Sequence, residues 1–161
     1  MKTKVIFFLF CISFIFEVTL ALEVKCNFEE VYSTGDVQNG IFLVKDKKMR
    51  YQYFNNKLYT IIYKDNKFFL IHNHDNKIVQ KVEKNTEVMK LFSEIVQSYP
   101  KIEDSYIKEN TKILVEKSYN NFIKRVSVQS SQTNVSINIM NCKFSSIDDR
   151  YFNHFDLVSI N

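Results

Sequence analysis

The sequence predicts a mainly β domain of the α+β kind, a curved antiparallel sheet with one amphipathic helix laid against its concave side. Three observations carry this. Residues 37–82 run as short apolar-alternating segments separated by polar Asn/Asp/Lys turns, the mark of an antiparallel meander. Val88, Leu91, Phe92, Ile95 and Val96 then fall at i, i+3, i+4, i+7 and i+8, which is one helical stripe. Beyond it, strand-like alternation resumes and runs to Phe144. A single apolar helical stripe between two sets of strands is buried when the helix packs on the sheet.

The elements follow in order. Met1 to Lys4 is basic, Val5 to Phe16 is apolar, and Thr19-Leu20-Ala21 offers small residues. This is the layout of a signal peptide over 1–21, cleaved after Ala21. Its apolar run ends at Glu17, short of the roughly 20 residues that span a bilayer. Cys11 follows Leu9-Phe10 rather than small residues, so it is not read as a lipid-modified cysteine. Residues 22–161 form one domain, with no internal repeat or linker. Strands are expected over 23–33, where Val24, Cys26 and Phe28 alternate, and over 37–45, with Ile41 and Leu43 on one face. Met49, Tyr51 and Tyr53 alternate on a third strand, followed by strands over 58–63, 68–72 and 77–82. The helix is capped by Asn85 or Thr86, with Glu87 in its first turn and Pro100 as a limit. Residues 101–111 are ambiguous, and strands return over 113–117, 122–130 and 135–144.

Composition excludes more than it assigns. A formal net charge of +4 without a basic stripe gives no argument for nucleic acid. Cys26 and Cys142 remain after Cys11 leaves with the signal, and an even pair in an exported chain reads as a disulfide. His72-x-His74 with Asp75 offers metal-ligand types, but at a hairpin tip and without a third fixed ligand. No metal or cofactor is expected, and His154 is isolated. No nucleophile or zinc motif is present, and two glycines hardly build a phosphate loop. Glu103-Asp104 and Asp148-Asp149 read as solvated loop carboxylates. No catalytic residue is expected, so the protein is not read as an enzyme. Asn134-Val135-Ser136 matches a glycosylation sequon by pattern. What stands out is the aromatic content, with 9 Tyr and 15 Phe in the whole chain.

The stretch Gly40-Ile41-Phe42-Leu43-Val44-Lys45-Asp46-Lys47-Lys48-Met49-Arg50-Tyr51 resembles the early motif of the LolA-type periplasmic carriers of outer-membrane lipoproteins. Asp65-Asn66, Phe68-Phe69-Leu70-Ile71 and Gln80-Lys81-Val82 follow like that family's Asp-Gly turn, aromatic strand and Gln-Val segment. Thr86 to Val96 resembles its apolar helix, and Asp148-Asp149-Arg150-Tyr151-Phe152 its C-terminal Asp-x-x-Phe segment. The resemblance implies an unclosed, strongly curved antiparallel β-barrel with a helical lid over an apolar cavity for acyl chains. It implies no enzymatic activity, a monomer, and a place in the periplasm of a Gram-negative bacterium. Its implied partners are acylated lipoproteins, an inner-membrane lipoprotein-releasing ATPase complex and an outer-membrane acceptor. On this resemblance Lys45 takes the lid-latch position, normally Arg, and Lys45, Met49 and Tyr51 share an inward face if the strand continues through the turn. Asp46 and Glu87 stand where the family has Pro, and Asn66 where it has Gly. The expected lipid cavity comprises Ile41, Leu43, Met49, Tyr51, Tyr53, Val88, Leu91, Phe92 and Ile95. The alternatives are an exported structural or interaction domain with a filled aromatic core, or a general lipid-binding protein.

Overall fold

The alternating segments become strands because their β-branched and aromatic residues present one apolar face every second position. The structure, a computed structural model, describes residues 22–75, 78–81, 87–108, 110–131 and 134–153. The expected signal peptide, the capping residues Asn85 and Thr86, and His154 lie outside them. In chain order the elements are β1 (Glu23–Tyr32), β2 (Val37–Lys45), β3 (Lys48–Tyr53), β4 (Tyr59–Lys64), β5 (Lys67–His72) and β6 (Ile78–Lys81). Helix α1 (Glu87–Gln97) follows, then β7 (Ser105–Lys108), β8 (Thr111–Lys117), β9 (Ile123–Gln129) and β10 (Asn134–Phe144). A 3-10 turn, Asp149–Phe152, comes last.

All strands pair antiparallel in one unclosed sheet of order β6-β5-β4-β3-β2-β1-β10-β9-β8-β7. The topology explains the position of the helix. The sheet's two edges, β6 and β7, are consecutive strands in the chain, so their connection must travel from one edge to the other. That connection carries α1, whose Leu91, Phe92, Ile95 and Val96 are buried in the same core as residues of β1–β3, β5 and β8–β10. We call the sheet face turned toward α1 the inner face. Strand β7 falls in the stretch the sequence left ambiguous.

Tight turns set the register. Asp65 and Asn66 both take left-handed backbone conformations (φ 53° and 58°) between β4 and β5, as a two-residue hairpin loop of the primed type requires. Asp46 does so between β2 and β3 (φ 52°). Near the start of β1 the register of its pairing with β10 shifts, between Lys25 and Asn27. Asn141, with φ 54°, marks the bulge there, and the extra residue brings Cys142 against Cys26. The two form the expected disulfide, with Cα atoms 4.1 Å apart.

A second, smaller layer covers part of the opposite, outer face. After β10 the chain turns back over β1–β3, and Ile147 and Phe152 pack on Leu43. Further along the sheet this face is solvated and charged, with Glu116 paired to Lys124 (2.9 Å) and Arg125 (2.7 Å).

Candidate functional site: the inner face and its polar end

Strand pairing decides which predicted residues meet. In the β2–β3 hairpin Lys45 lies opposite Lys48, Val44 opposite Met49 and Phe42 opposite Tyr51. A two-residue loop pairs even positions of one strand with odd positions of the other. Lys45 therefore cannot share a face with Met49 and Tyr51, and that expectation is corrected. Ile41 and Leu43 also lie on the outer face, the latter under Ile147 and Phe152. Both faces of β2 are buried over residues 40–44, so alternation alone could not say which set turns inward. The inner set is Phe42 and Val44.

Met49, Tyr51, Tyr53, Val88, Leu91, Phe92 and Ile95 do come together on the inner face and α1. Tyr51 stacks on Phe28 with ring centroids 3.9 Å apart, and Phe92 meets Phe42 at 5.3 Å and Tyr51 edge-on at 6.0 Å. Among the described residues, no hydrogen bond or ion pair joins a residue of α1 itself to the sheet; Gln97 donates to Ser93 within the helix (2.9 Å), and just past its end the Ser98 hydroxyl lies 3.5 Å from that of Tyr106 on β7. The helix is held there by apolar contact.

This arrangement depends on Gly40, which pairs with Phe28 on one side and Tyr53 on the other. A Cβ at Gly40 would collide with the Phe28 ring and with the backbone oxygen of Gln52. The missing side chain leaves room for Phe28 to lie across β2 and stack on Tyr51. Strand β3 thereby reaches over β2 to a residue of β1, Glu30.

Glu30 was not anticipated, although the alternation of Val24, Cys26 and Phe28 continues to it and points it inward. It is 4 % exposed. Its Oε1 accepts from the Tyr51 hydroxyl (2.7 Å) and its Oε2 from Tyr32 (2.6 Å), while Tyr53 donates at 3.0 Å to either oxygen. Three phenols each donate a hydrogen bond to an acceptor-only carboxylate, so the buried group is satisfied without a cation among the described residues. Burial, followed by the Glu30 charge, raises the pKa of Tyr51 and Tyr53; for Tyr32, burial and the Glu30 hydrogen bond raise it.

The pH dependence follows. A phenol whose folded pKa is raised contributes stability that is complete below its unfolded value, near 10, and is lost as pH rises beyond it. We expect stability to be insensitive to these groups up to about pH 10 and then to fall. Three of the 9 tyrosines should titrate only as the protein unfolds, read as phenolate absorbance alongside circular dichroism. Arg50, whose pKa burial lowers, works in the opposite sense but is one group against three. Titration of all tyrosines in the folded state would contradict the network.

On the outer face, Lys45 and its neighbours clamp the segment that follows β10. Lys45 Nζ donates to the Ile147 carbonyl (2.7 Å) and pairs with Asp149 (3.2 Å), as does Lys48 (2.9 Å). Hydrogen bonding to Lys48 and Lys45 lowers the Asp149 pKa. Glu23 accepts from the Ile147 amide at 2.6 Å. Arg50, 1 % exposed, donates from Nη1 to the Tyr151 carbonyl (2.8 Å) and from Nε and Nη2 to Gln52. Asp149 is thus an ion-pair partner and Asp148 a cap that accepts from the Arg150 amide (2.9 Å), not a free acidic pair. Asp104 likewise pairs with Lys117 (2.6 Å).

His72 packs against Tyr59, ring centroids 4.7 Å apart, and among the described residues no three His, Cys, Asp or Glu side chains converge on a metal position. No helix among the described residues is long and apolar enough to cross a membrane. The disulfide fits an oxidising, exported compartment. Comparison with models of known families and with curated proteins finds no match.

Proposed function

We propose that this chain is a carrier that takes acyl chains between the inner face of its sheet and α1, and shuttles acylated lipoproteins from the inner to the outer membrane of a Gram-negative bacterium. The observation that carries the reading is the way α1 is held. Its buried stripe of Leu91, Phe92, Ile95 and Val96 meets the sheet through apolar contact, without a polar tie among the described residues. Such contacts are non-directional. An incoming acyl chain replaces them and gains about 0.8 kcal/mol per buried CH₂. A helix pinned by ion pairs would lose those bonds at each exchange. The sequence resemblance to LolA-type carriers supports the same reading; the disulfide, not a general feature of that family, supports the exported compartment alone. Lys45 is not assigned the latch, because it engages the C-terminal segment on the other face.

The second reading, an exported interaction domain with a filled aromatic core, is favoured by Phe28, Phe42, Tyr51 and Phe92, each at most 1 % exposed and in ring contact. Native mass spectrometry of protein purified from its exported compartment, with titration by the uncharged fluorophore diphenylhexatriene, separates the two. The carrier reading expects co-purifying acylated species and a saturable fluorescence gain that a diacylated lipopeptide reverses. A bare protein mass with no fluorescence gain leaves the filled core.

A further inference from the structure

We infer that Glu30 makes the inner face selective for acyl compounds with a hydrogen-bond-donating, uncharged or cationic head, and excludes anionic heads. This rests on the carrier reading and deepens it. The inner face is apolar along β1 from Val24 through Cys26 and Phe28, and ends on the Glu30 carboxylate. Among the described residues no cation pairs with that carboxylate; its hydrogen-bond partners are the three phenols.

The three phenols differ in access. Tyr51 is fully buried, whereas Tyr32 and Tyr53 are half-buried. Of the three, Tyr32 lines an open groove of about 620 Å³ at the end of the sheet, whose walls include Val128 and Val135 of the inner face and Val31, Ser127 and Ser136 of the outer face. Tyr32, at this open end of the sheet, is the phenol whose place on Oε2 an incoming head group can take. An ammonium or hydroxyl group can take that place and restore the lost hydrogen bond, strongly so if charged. A carboxylate or phosphate brings no proton and sets like charges together where water is excluded, which is strongly unfavourable. Tyr51 and Tyr53 stay in place and hold the carboxylate, locked by the Phe28 stack and the space above Gly40.

The test compares three ligands with twelve-carbon chains (dodecylamine, monododecanoylglycerol and dodecanoate) as displacers of diphenylhexatriene, all below their micelle concentrations. The amine and the glyceride should bind the native protein at least about tenfold more tightly than dodecanoate, given the cost of like charges at a desolvated site. Glu30→Gln keeps the shape and should bring the three within about threefold, chiefly by improving dodecanoate, since the charge repulsion is gone. Tyr32→Phe, which leaves the carboxylate and the buried core intact, should tighten the amine and the glyceride while leaving dodecanoate weak. This variant keeps the inference open to refutation if Glu30→Gln does not fold. Equal binding of all three by the native protein, or an unchanged order in Glu30→Gln, overturns the selectivity and leaves the carrier reading standing. Failure of every ligand and of the fluorophore to bind overturns both.

Discussion

Replacing Cys26 and Cys142 together by alanine is expected to lower the free energy of unfolding by about 4 kcal/mol, from loop-closure entropy. The bond joins residues 116 apart in sequence, and the loop it closes contains eight of the ten strands and the helix. It also joins β1 to β10, the pairing that holds the sheet's two halves together. Without it, that pairing must be found from the open chain. Urea unfolding of the double variant, or of the native protein in dithiothreitol, measures the effect as a fall in the free energy of unfolding and in the transition midpoint, with a steeper slope because the uncrosslinked unfolded chain exposes more surface. A change below about 1 kcal/mol would mean that the unfolded chain is already ordered near this pair, against the entropic account.

Gly40→Ala is expected to destabilise by about 3 kcal/mol or more, the upper range for overpacking a filled site. A methyl group there meets a ring and a backbone oxygen, and only the ring can yield. Phe28 would leave Tyr51, and the phenols would lose their approach to Glu30, a buried carboxylate whose unmet bonds cost about 1–3 kcal/mol. Adding Phe28→Leu should recover part of the loss, because it removes one of the two collisions. The coupling of the pair in a double-mutant cycle reads this directly. If Gly40→Ala unfolds with the native midpoint, the crossing of β2 by Phe28 is not what organises the inner face.

Much of the fold was legible because its signals are local. Asp65-Asn66 marks a turn by its backbone preferences, and the stripe from Val88 to Val96 marks a helix by its period. What alternation could not supply was the choice of face. Ile41 and Leu43 repeat every second residue as clearly as Phe42 and Val44 do, and all four are buried. The difference is set by the hairpin register and by Ile147 and Phe152 arriving from more than a hundred residues away. Placing Lys45 with Met49 and Tyr51 failed for the same reason, since parity reverses across the two-residue turn. Glu30 was legible but unread: its parity with Val24, Cys26 and Phe28 turns a charge inward, and Tyr51 and Tyr53 supply donors from a strand two places away. Arg50 gave no such signal, because its partner is the backbone carbonyl of Tyr151, which no side-chain pattern announces.

The central claim, that the inner face under α1 receives the acyl chain, is tested most directly by methyl NMR of the full chain during titration with a diacylated lipopeptide. The account predicts saturable shifts of the Met49, Leu91 and Ile95 methyls, with the outer-face Ile41 and Leu43 methyls unmoved. Shifts confined to Ile41 and Leu43, or none at saturating lipopeptide, would contradict it.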